Sequence, residues 1–248
     1  MIDSESAARA LLEARRCGQL LDALPAGGRP ASDPDAYRIQ DAQLGALGPI
    51  GGWKVGARSA DSEPSCAPLP RGLVFRSGHA FSPRSALRLV EAEIGFTVGR
   101  DLPPRGHPYD VDEVVDAMTS VQATLEVLES RYRNRTAMDP FSQLADFGSN
   151  GALVVGPGRS TGLHIDQTRA HLRVHCNGML DYEVTGGNAA GDVLRLLAWL
   201  ANHAAIRVGG LRAGEVITTG SCVGVREIPA GARIRAEFDG IPAVEACL

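Results

Sequence analysis

Apolar positions recur at helical spacing over the first fifty residues and at strand spacing over much of the remainder. Leu11, Leu12, Leu20, Leu21 and Leu24 repeat behind the polar start Asp3-Ser4-Glu5-Ser6, which predicts an N-terminal helical stretch broken at Leu24-Pro25-Ala26-Gly27-Gly28-Arg29-Pro30. A second helix is predicted from Ser32-Asp33-Pro34, a cap residue followed by a first-turn proline, through Tyr37 to about Leu47, with Gly48 to Gly52 ending it. Residues 111–119 predict a third, because Asp110 and Glu113 make a capping-box start and Val111, Val114, Val115 and Met118 share a face. The most apolar helical stretch is Asp192–Ala205. Segment 61–72 (DSEPSCAPLPRG) holds three prolines and is expected to be a loop. His171–Cys176 and Met179–Thr185 flank Asn177-Gly178, the favoured type I′ pair, and predict a hairpin. Residues 211–248 break into short strands at Ala213-Gly214, Gly220, Pro229-Ala230-Gly231 and Asp239-Gly240. The strands lack regular βαβ alternation, which excludes a doubly wound sheet. The expected organisation is a helical region over 1–50 and a strand-rich region over 51–248.

One run alternates strictly. In Val90–Val98, Ala92, Ile94, Phe96 and Val98 face one way and Glu91, Glu93, Gly95 and Thr97 the other. Carboxylates at i and i+2 on a strand stand ~6.6 Å apart along the backbone. They can converge on one cation, or simply form the polar face of a half-exposed strand. Glutamate is depleted in strands, however, and like charges on one face repel unless something neutralises them. A second run adds to this pattern. Val121, Ala123, Leu125 and Val127 form an apolar face, and Glu126 lies opposite, between Thr124 and Leu128. Three carboxylates without histidine or cysteine suit a hard, oxygen-preferring ion such as Mg²⁺ or Mn²⁺.

Composition sharpens one residue. Of 25 basic side chains only Lys54 is lysine; the other 24 are arginine. Arginine can serve wherever a permanent charge is enough, but it cannot replace an amine that must release a proton. Lys54 is therefore a candidate acid/base group, the alternative being a leftover surface lysine. The chain has 248 residues, 44% of them apolar and 22% charged, with a net charge of −4. That balance describes an ordinary globular protein and argues against nucleic acid or an anionic membrane as partner. No apolar run reaches membrane-spanning length, and the start MIDSESAARA has no basic-then-apolar pattern. Five scattered cysteines (Cys17, Cys66, Cys176, Cys222, Cys247) suggest free thiols in a reducing cytoplasm.

These residues carry a resemblance. Asp35-Ala36-Tyr37-Arg38-Ile39-Gln40, Gly52-Trp53-Lys54-Val55-Gly56, Val90-Glu91-Ala92-Glu93-Ile94, Leu125-Glu126-Val127-Leu128-Glu129-Ser130-Arg131 and Ala145-Asp146-Phe147-Gly148-Ser149-Asn150 follow one another in a specific order. Ala198-Trp199-Leu200-Ala201-Asn202 and the run Leu211–Ser221 complete the series. The chain resembles the fumarylacetoacetate hydrolase superfamily, within it the 2-keto-4-pentenoate hydratase / 4-oxalocrotonate decarboxylase branch. That resemblance implies an α+β fold, a β-roll of mixed strands with an N-terminal helical region. It also implies a divalent cation, Mg²⁺ or Mn²⁺, on Glu91, Glu93 and Glu126, and puts Lys54 in the active-site lysine position, its pKa lowered by burial and the cation.

The implied activity is that of a lyase hydrating 2-hydroxypenta-2,4-dienoate to 4-hydroxy-2-oxopentanoate. A decarboxylase, or a non-catalytic partner subunit, is the alternative. The expected setting is the cytoplasm, as a homo-oligomer in aromatic compound catabolism. Thr219, Gly220 and Ser221 are candidates to hold the substrate carboxylate, and Asp146, Ser149 and Asn150 are expected to contact substrate. One departure stands out: Pro70 occupies the place where the family's Pro-Asp-Phe-Gly-like stretch carries an acid.

Other patterns read as structural. Gly156–Gly162 fits no phosphate-loop spacing, and His171 and His175 lie on one strand face without a third ligand. The Asp110–Asp116 acidic start suits a helix dipole. Arg131, Arg133 and Arg135 are candidates to contact an anionic substrate, but a solvated turn or subunit contact is the expectation, and Cys222 has no histidine to activate it.

Overall fold

The computed structural model describes residues 2–82 and 88–248. Helix α1 spans Ser4–Cys17; the Asp3 carboxylate caps it by accepting from the Ser6 N–H at 2.9 Å. Gly18, at φ +72°, ends it, so Leu20, Leu21 and Leu24 lie beyond the helix that their spacing suggested. Helix α2, Asp33–Leu47, begins at the expected Ser32 cap. Helix α3, Val111–Asp116, carries both halves of the capping box, but Met118 already belongs to the next strand. Two more helices follow, α4 (Pro140–Ala145) and α5 (Leu194–Val208), the latter started by the Asp192 side chain accepting from the Leu194 N–H at 2.9 Å. Ala7, Ala8 and Leu11 of α1, Ala36 and Ile39 of α2, and Ala145 of α4 bury a small core of their own with Leu24 and Tyr132.

The strands are β1 (Ile50–Gly56), β2 (Ser65–Pro70), β3 (Val74–Arg76), β4 (His79–Ala80), β5 (Leu89–Val98), β6 (Met118–Leu128) and β7 (Asn150–Val155). They continue with β8 (His171–Cys176), β9 (Met179–Thr185), β10 (Val216–Ser221), β11 (Arg226–Glu227), β12 (Arg233–Phe238) and β13 (Ile241–Cys247). One sheet runs β2-β1-β10-β5-β6-β7-β3, with β11 on the end of β5; the other runs β4-β13-β12-β8-β9. Pairing is mixed: β1–β10, β3–β7 and β4–β13 are parallel and the other pairs antiparallel. Strand β2 corrects the expectation of a loop over 61–72. Its prolines are tolerated because it lies at the edge, paired with β1. The expected hairpin is β8–β9, with Asn177 and Gly178 at φ +51° and +82°.

Ala92, Ile94 and Phe96 of β5 and Val121, Ala123 and Leu125 of β6 enter the main core. There they meet Leu196, Leu197 and Leu200 of α5 and Ile234 and Phe238 of β12. Burying a side chain of that size contributes about 1.5–3 kcal/mol, enough to lock the strand register and turn the opposite face toward the site. No helix among the described residues is long and apolar enough to cross a membrane.

Candidate active site

The site lies on the polar face of β1, β10, β5 and β6. Glu91 stands directly opposite Glu126, Glu93 opposite Thr124, and Thr218 of β10 is paired with both Gly95 and Lys54. A period of two therefore carries the acids to one face while their neighbours fill the core. Gly95 has a packing reason: a Cβ there would come within 2.9 Å of Thr124 Cγ2 and 3.0 Å of the Ile217 carbonyl. Each of Glu91, Glu93 and Glu126 offers a carboxylate oxygen, all within 4.8 Å of one another.

Lys54, Asn150 and Thr218 are tied to the acids. The Lys54 ammonium donates to Glu126 Oε1 at 2.6 Å and to the Gly148 carbonyl at 3.1 Å. The Asn150 amide donates to the same Glu126 oxygen at 2.8 Å. Glu93 Oε2 accepts from the Thr218 hydroxyl and from the Gly220 N–H, the latter at 2.8 Å. One atom is left over: Glu126 Oε2 is buried and has no hydrogen-bond partner among the described residues. An orphaned carboxylate oxygen carries a desolvation cost that a ligand there would remove.

The electrostatics agree. Burial, then the charges of Glu126 and Glu91, push Glu93 up to about 8. Glu91 is raised as well, burial outweighing the pull of Lys54. For Lys54, burial works to lower the pKa, but the carboxylates, Glu126 foremost, overcome it and raise the amine. The lowered amine expected from the sequence belongs to acids neutralised by a cation; here the three carboxylates surround the amine with their full charge. An all-oxygen donor set with surplus negative charge and an unpartnered oxygen fits a hard divalent cation.

A cavity of 240 Å³ opens over these groups. Glu91, Glu93, Glu126 and Lys54 line it together with Ser65, Cys66, Leu144, Gly148, Gly220 and Ser221, among others. Of the candidates for the substrate carboxylate, Gly220 and Ser221 border the cavity, whereas the Thr219 hydroxyl is buried and donates to the Ile94 carbonyl at 2.7 Å. Asp146, Ser149 and Asn150 are buried and do not line it. Pro70 ends β2 opposite Ile50, also outside the lining.

Two features escaped sequence reasoning. Phe147, Gly148 and Ser149 follow one another at φ +52°, +59° and +65°. The left-handed region costs a non-glycine residue about 1–2 kcal/mol, so the turn must be held in place. Arg131 holds it. Its backbone N–H donates to Asp146 Oδ2 at 3.0 Å, and its guanidinium donates to Asp146 Oδ1, to the Asp146 carbonyl at 2.6 Å and to the Asn150 carbonyl at 2.8 Å. The Arg131 side chain is 3% exposed, which corrects its placement in a solvated turn or subunit contact. Arg133 does lie exposed, pairing with Asp22 at 3.0 Å. The aspartate fifteen residues after Arg131 is the signal that could have matched them, though many such pairs exist in any chain. Cys222 is buried, its thiol pushed up to about 12 by burial, and is no nucleophile.

A mixed-sheet fold carrying three carboxylates for a hard cation beside a half-buried lysine defines the class of site. Residues 74–248 match the fumarylacetoacetate (FAA) hydrolase C-terminal family, and the chain belongs to that family. It is 30% identical over 158 residues to a 2-keto-4-pentenoate hydratase of Burkholderia vietnamiensis, a match spanning 63% of this chain and 59% of that protein's length. With a 2-hydroxyhexa-2,4-dienoate hydratase of Comamonas testosteroni it shares 26% identity over 251 residues, 96% of this chain and 94% of the other. In fold it is similar to 4-oxalocrotonate decarboxylase from Pseudomonas putida G7 complexed with magnesium and adipate. That likeness has a TM-score of 0.83 at 24% identity and covers 98% of this chain and 96% of that one.

Proposed function

We propose that the chain is a divalent-metal-dependent lyase that hydrates 2-hydroxypenta-2,4-dienoate (2-keto-4-pentenoate) to 4-hydroxy-2-oxopentanoate. The observation that carries this reading is the buried, unpartnered Oε2 of Glu126 beside Glu91, Glu93 and the only lysine of the chain. Glu91, Glu93 and Glu126 would hold Mg²⁺ or Mn²⁺, which when bound supplies a Lewis acid for the carboxylate and 2-oxygen of a 2-oxo acid. Lys54 moves the proton of the enol–keto step. An ammonium has three donors; Glu126 and the Gly148 carbonyl take two, leaving one for the substrate. Thr218 and the Gly220 N–H fix Glu93, while Gly220 and Ser221 border the space where the substrate carboxylate is received. Thr219 is buried behind them and holds the Ile94 carbonyl, Asn150 acts through Glu126, and Asp146 and Ser149 act through the turn they build.

One observation favours decarboxylation as a second reading. Apart from the three carboxylates, Lys54 is the one lining group, among those described, that carries a cationic proton to deliver, and with its amine raised it is an acid near neutral pH. Hydration needs both a proton delivered to carbon and a water activated, whereas loss of CO₂ from a vinylogous 2-oxo acid needs only the first. We further assign the protein to the cytoplasm and to aromatic compound catabolism, as a homo-oligomer. All five cysteines are free, and Met179 and Leu180 of β9 are 74% and 53% exposed on the last strand of the second sheet, as a subunit contact would require.

The deciding experiment follows dienoate consumption in the ultraviolet with Mg²⁺ or Mn²⁺ and identifies the product. Formation of 4-hydroxy-2-oxopentanoate is expected. Release of CO₂ from 4-oxalocrotonate without hydration would select the second reading. Metal binding with no turnover of either compound would remove both.

A further inference from the structure

We infer that Arg131 is the positioning residue of this site, acting on Lys54 and Glu126 through the left-handed turn 146–150. The turn delivers two contacts to the site. Its middle residue presents the Gly148 carbonyl to the Lys54 ammonium at 3.1 Å, and its last residue presents the Asn150 amide to Glu126 Oε1 at 2.8 Å. Both contacts therefore depend on a backbone path that Phe147 and Ser149 resist, since each sits at positive φ without being glycine.

Arg131 is built to hold that path. Its guanidinium reaches the carbonyls at both ends of the turn, Asp146 and Asn150, while its Nε and backbone N–H fix the Asp146 carboxylate. The planar fork is what allows one side chain to tie two backbone positions four residues apart. Ser130 adds a hydroxyl to the same carboxylate at 3.2 Å. Arg15, from α1, donates to the Asn150 carbonyl at 3.1 Å, joining the N-terminal helices to the clamp. A buried ion pair is weak support for stability as such. Spent on a strained turn whose outward contacts fall on the proton carrier and a candidate metal ligand, it acts on placement. Arg131 and Asp146 do not border the cavity, so Arg131 works only through its neighbours.

The single lysine makes the test direct. Selective ¹³Cε,¹⁵Nζ-lysine labelling of the full chain yields one side-chain signal, that of Lys54. In Arg131→Met, and in the paired Arg131→Met/Asp146→Asn variant, that signal shifts or broadens. Mg²⁺ affinity falls roughly 10–100-fold, as for other lost supports of a metal ligand. If the lyase reading holds, kcat falls by about 10²-fold with KM little changed, the signature of a displaced group. The paired variant leaves no unpaired buried ion, so it keeps the test available if the single one does not fold. A folded variant whose lysine signal and Mg²⁺ affinity match the wild type overturns the inference. Because those two readouts need no substrate, failure of the proposed reaction is distinguishable from failure of the clamp.

Discussion

The two walls of the site are made differently. Strands β5 and β6 supply the three acids from a ladder whose mutual register is unbroken from Leu89 to Thr97, where Glu91 faces Glu126 and every second side chain packs in the core. Turn 146–150 supplies the Gly148 carbonyl and the Asn150 amide from three successive left-handed residues held by a buried arginine. The first wall needs no dedicated support, because the hydrophobic face that fixes its register is the same one that folds the protein. The second buries Phe147, but its left-handed path is held by polar contacts. A regular element brings charged groups together at the cost of their repulsion; an irregular one then aims the dipoles that make the cluster usable.

The comparison breaks most sharply at Lys54, which joins the two walls. Replacing Lys54 by Arg keeps a charge between Glu126 and Gly148 but removes the ability to release a proton. We expect dienoate turnover to fall by roughly 10²–10⁴-fold, with the circular dichroism spectrum retained. Unchanged kinetics would remove the amine from the reaction. On the strand side, Glu126→Gln converts the orphaned oxygen and its neighbour into an amide. Mg²⁺ affinity, followed calorimetrically, should fall by at least the ~10–100-fold typical of losing a mere support of a ligand. Equal affinity would mean that the cation, if bound, sits elsewhere.

Smaller effects separate the walls by the reason each needs glycine. Gly148→Ala forces a Cβ into φ +59° and to 3.3 Å from Lys54 Cε and Nζ. The backbone cost of about 1–2 kcal/mol should lower Tm by roughly 2–8 °C and move the lysine signal. Gly95→Ala instead meets Thr124 Cγ2 at 2.9 Å and the Ile217 carbonyl at 3.0 Å, an overpacking cost of similar size, about 1–3 kcal/mol. Its effect should reach metal affinity before it reaches the lysine signal. Identical profiles for the two variants would erase the distinction between the walls.

That distinction also decides what was legible in the sequence. Strict alternation over 90–98 identified the face carrying Glu91 and Glu93, and the Ser32 cap, the Asp110–Glu113 box and the Asn177-Gly178 turn all form as their residue types require. These signals are local, with one physical cause acting within a few residues. Strand β2 was hidden because proline counts against a strand unless edge position is known, and edge position is a long-range fact. Arg131 was hidden for the same reason. As an arginine among arginines it looks like surface, and only the return of the chain at Asp146 makes it interior. Positive φ at Phe147 and Ser149 has no compositional mark at all. Lys54 was visible because arginine had taken every other basic position.

The smallest effect concerns protons, and its sign follows from the crowding of the acid wall. Glu93 is pushed up to about 8, against 4.5 for an ordinary glutamate, by burial and then by Glu126 and Glu91. The folded chain therefore binds this proton more tightly than the unfolded one. The associated stability is fully present below about pH 4.5 and is lost as pH rises through about 8. Glu91 shifts in the same direction, and Lys54, raised above its ordinary 10.5, stays protonated throughout that window. With chelator present, Tm should decline between pH 6 and pH 8.5 as the acids lose their protons and repel one another. A divalent cation takes over the neutralising role, so saturating Mg²⁺ should raise Tm by a few degrees more at pH 8.5 than at pH 6, through preferential binding to the folded state. Differential scanning calorimetry at the two pH values, with and without Mg²⁺, measures both slopes. A chelated protein whose Tm is flat or rising over this range would mean that the acids on β5 and β6 are not crowded, and that the regular wall is free of the repulsion from which the cation's place was argued.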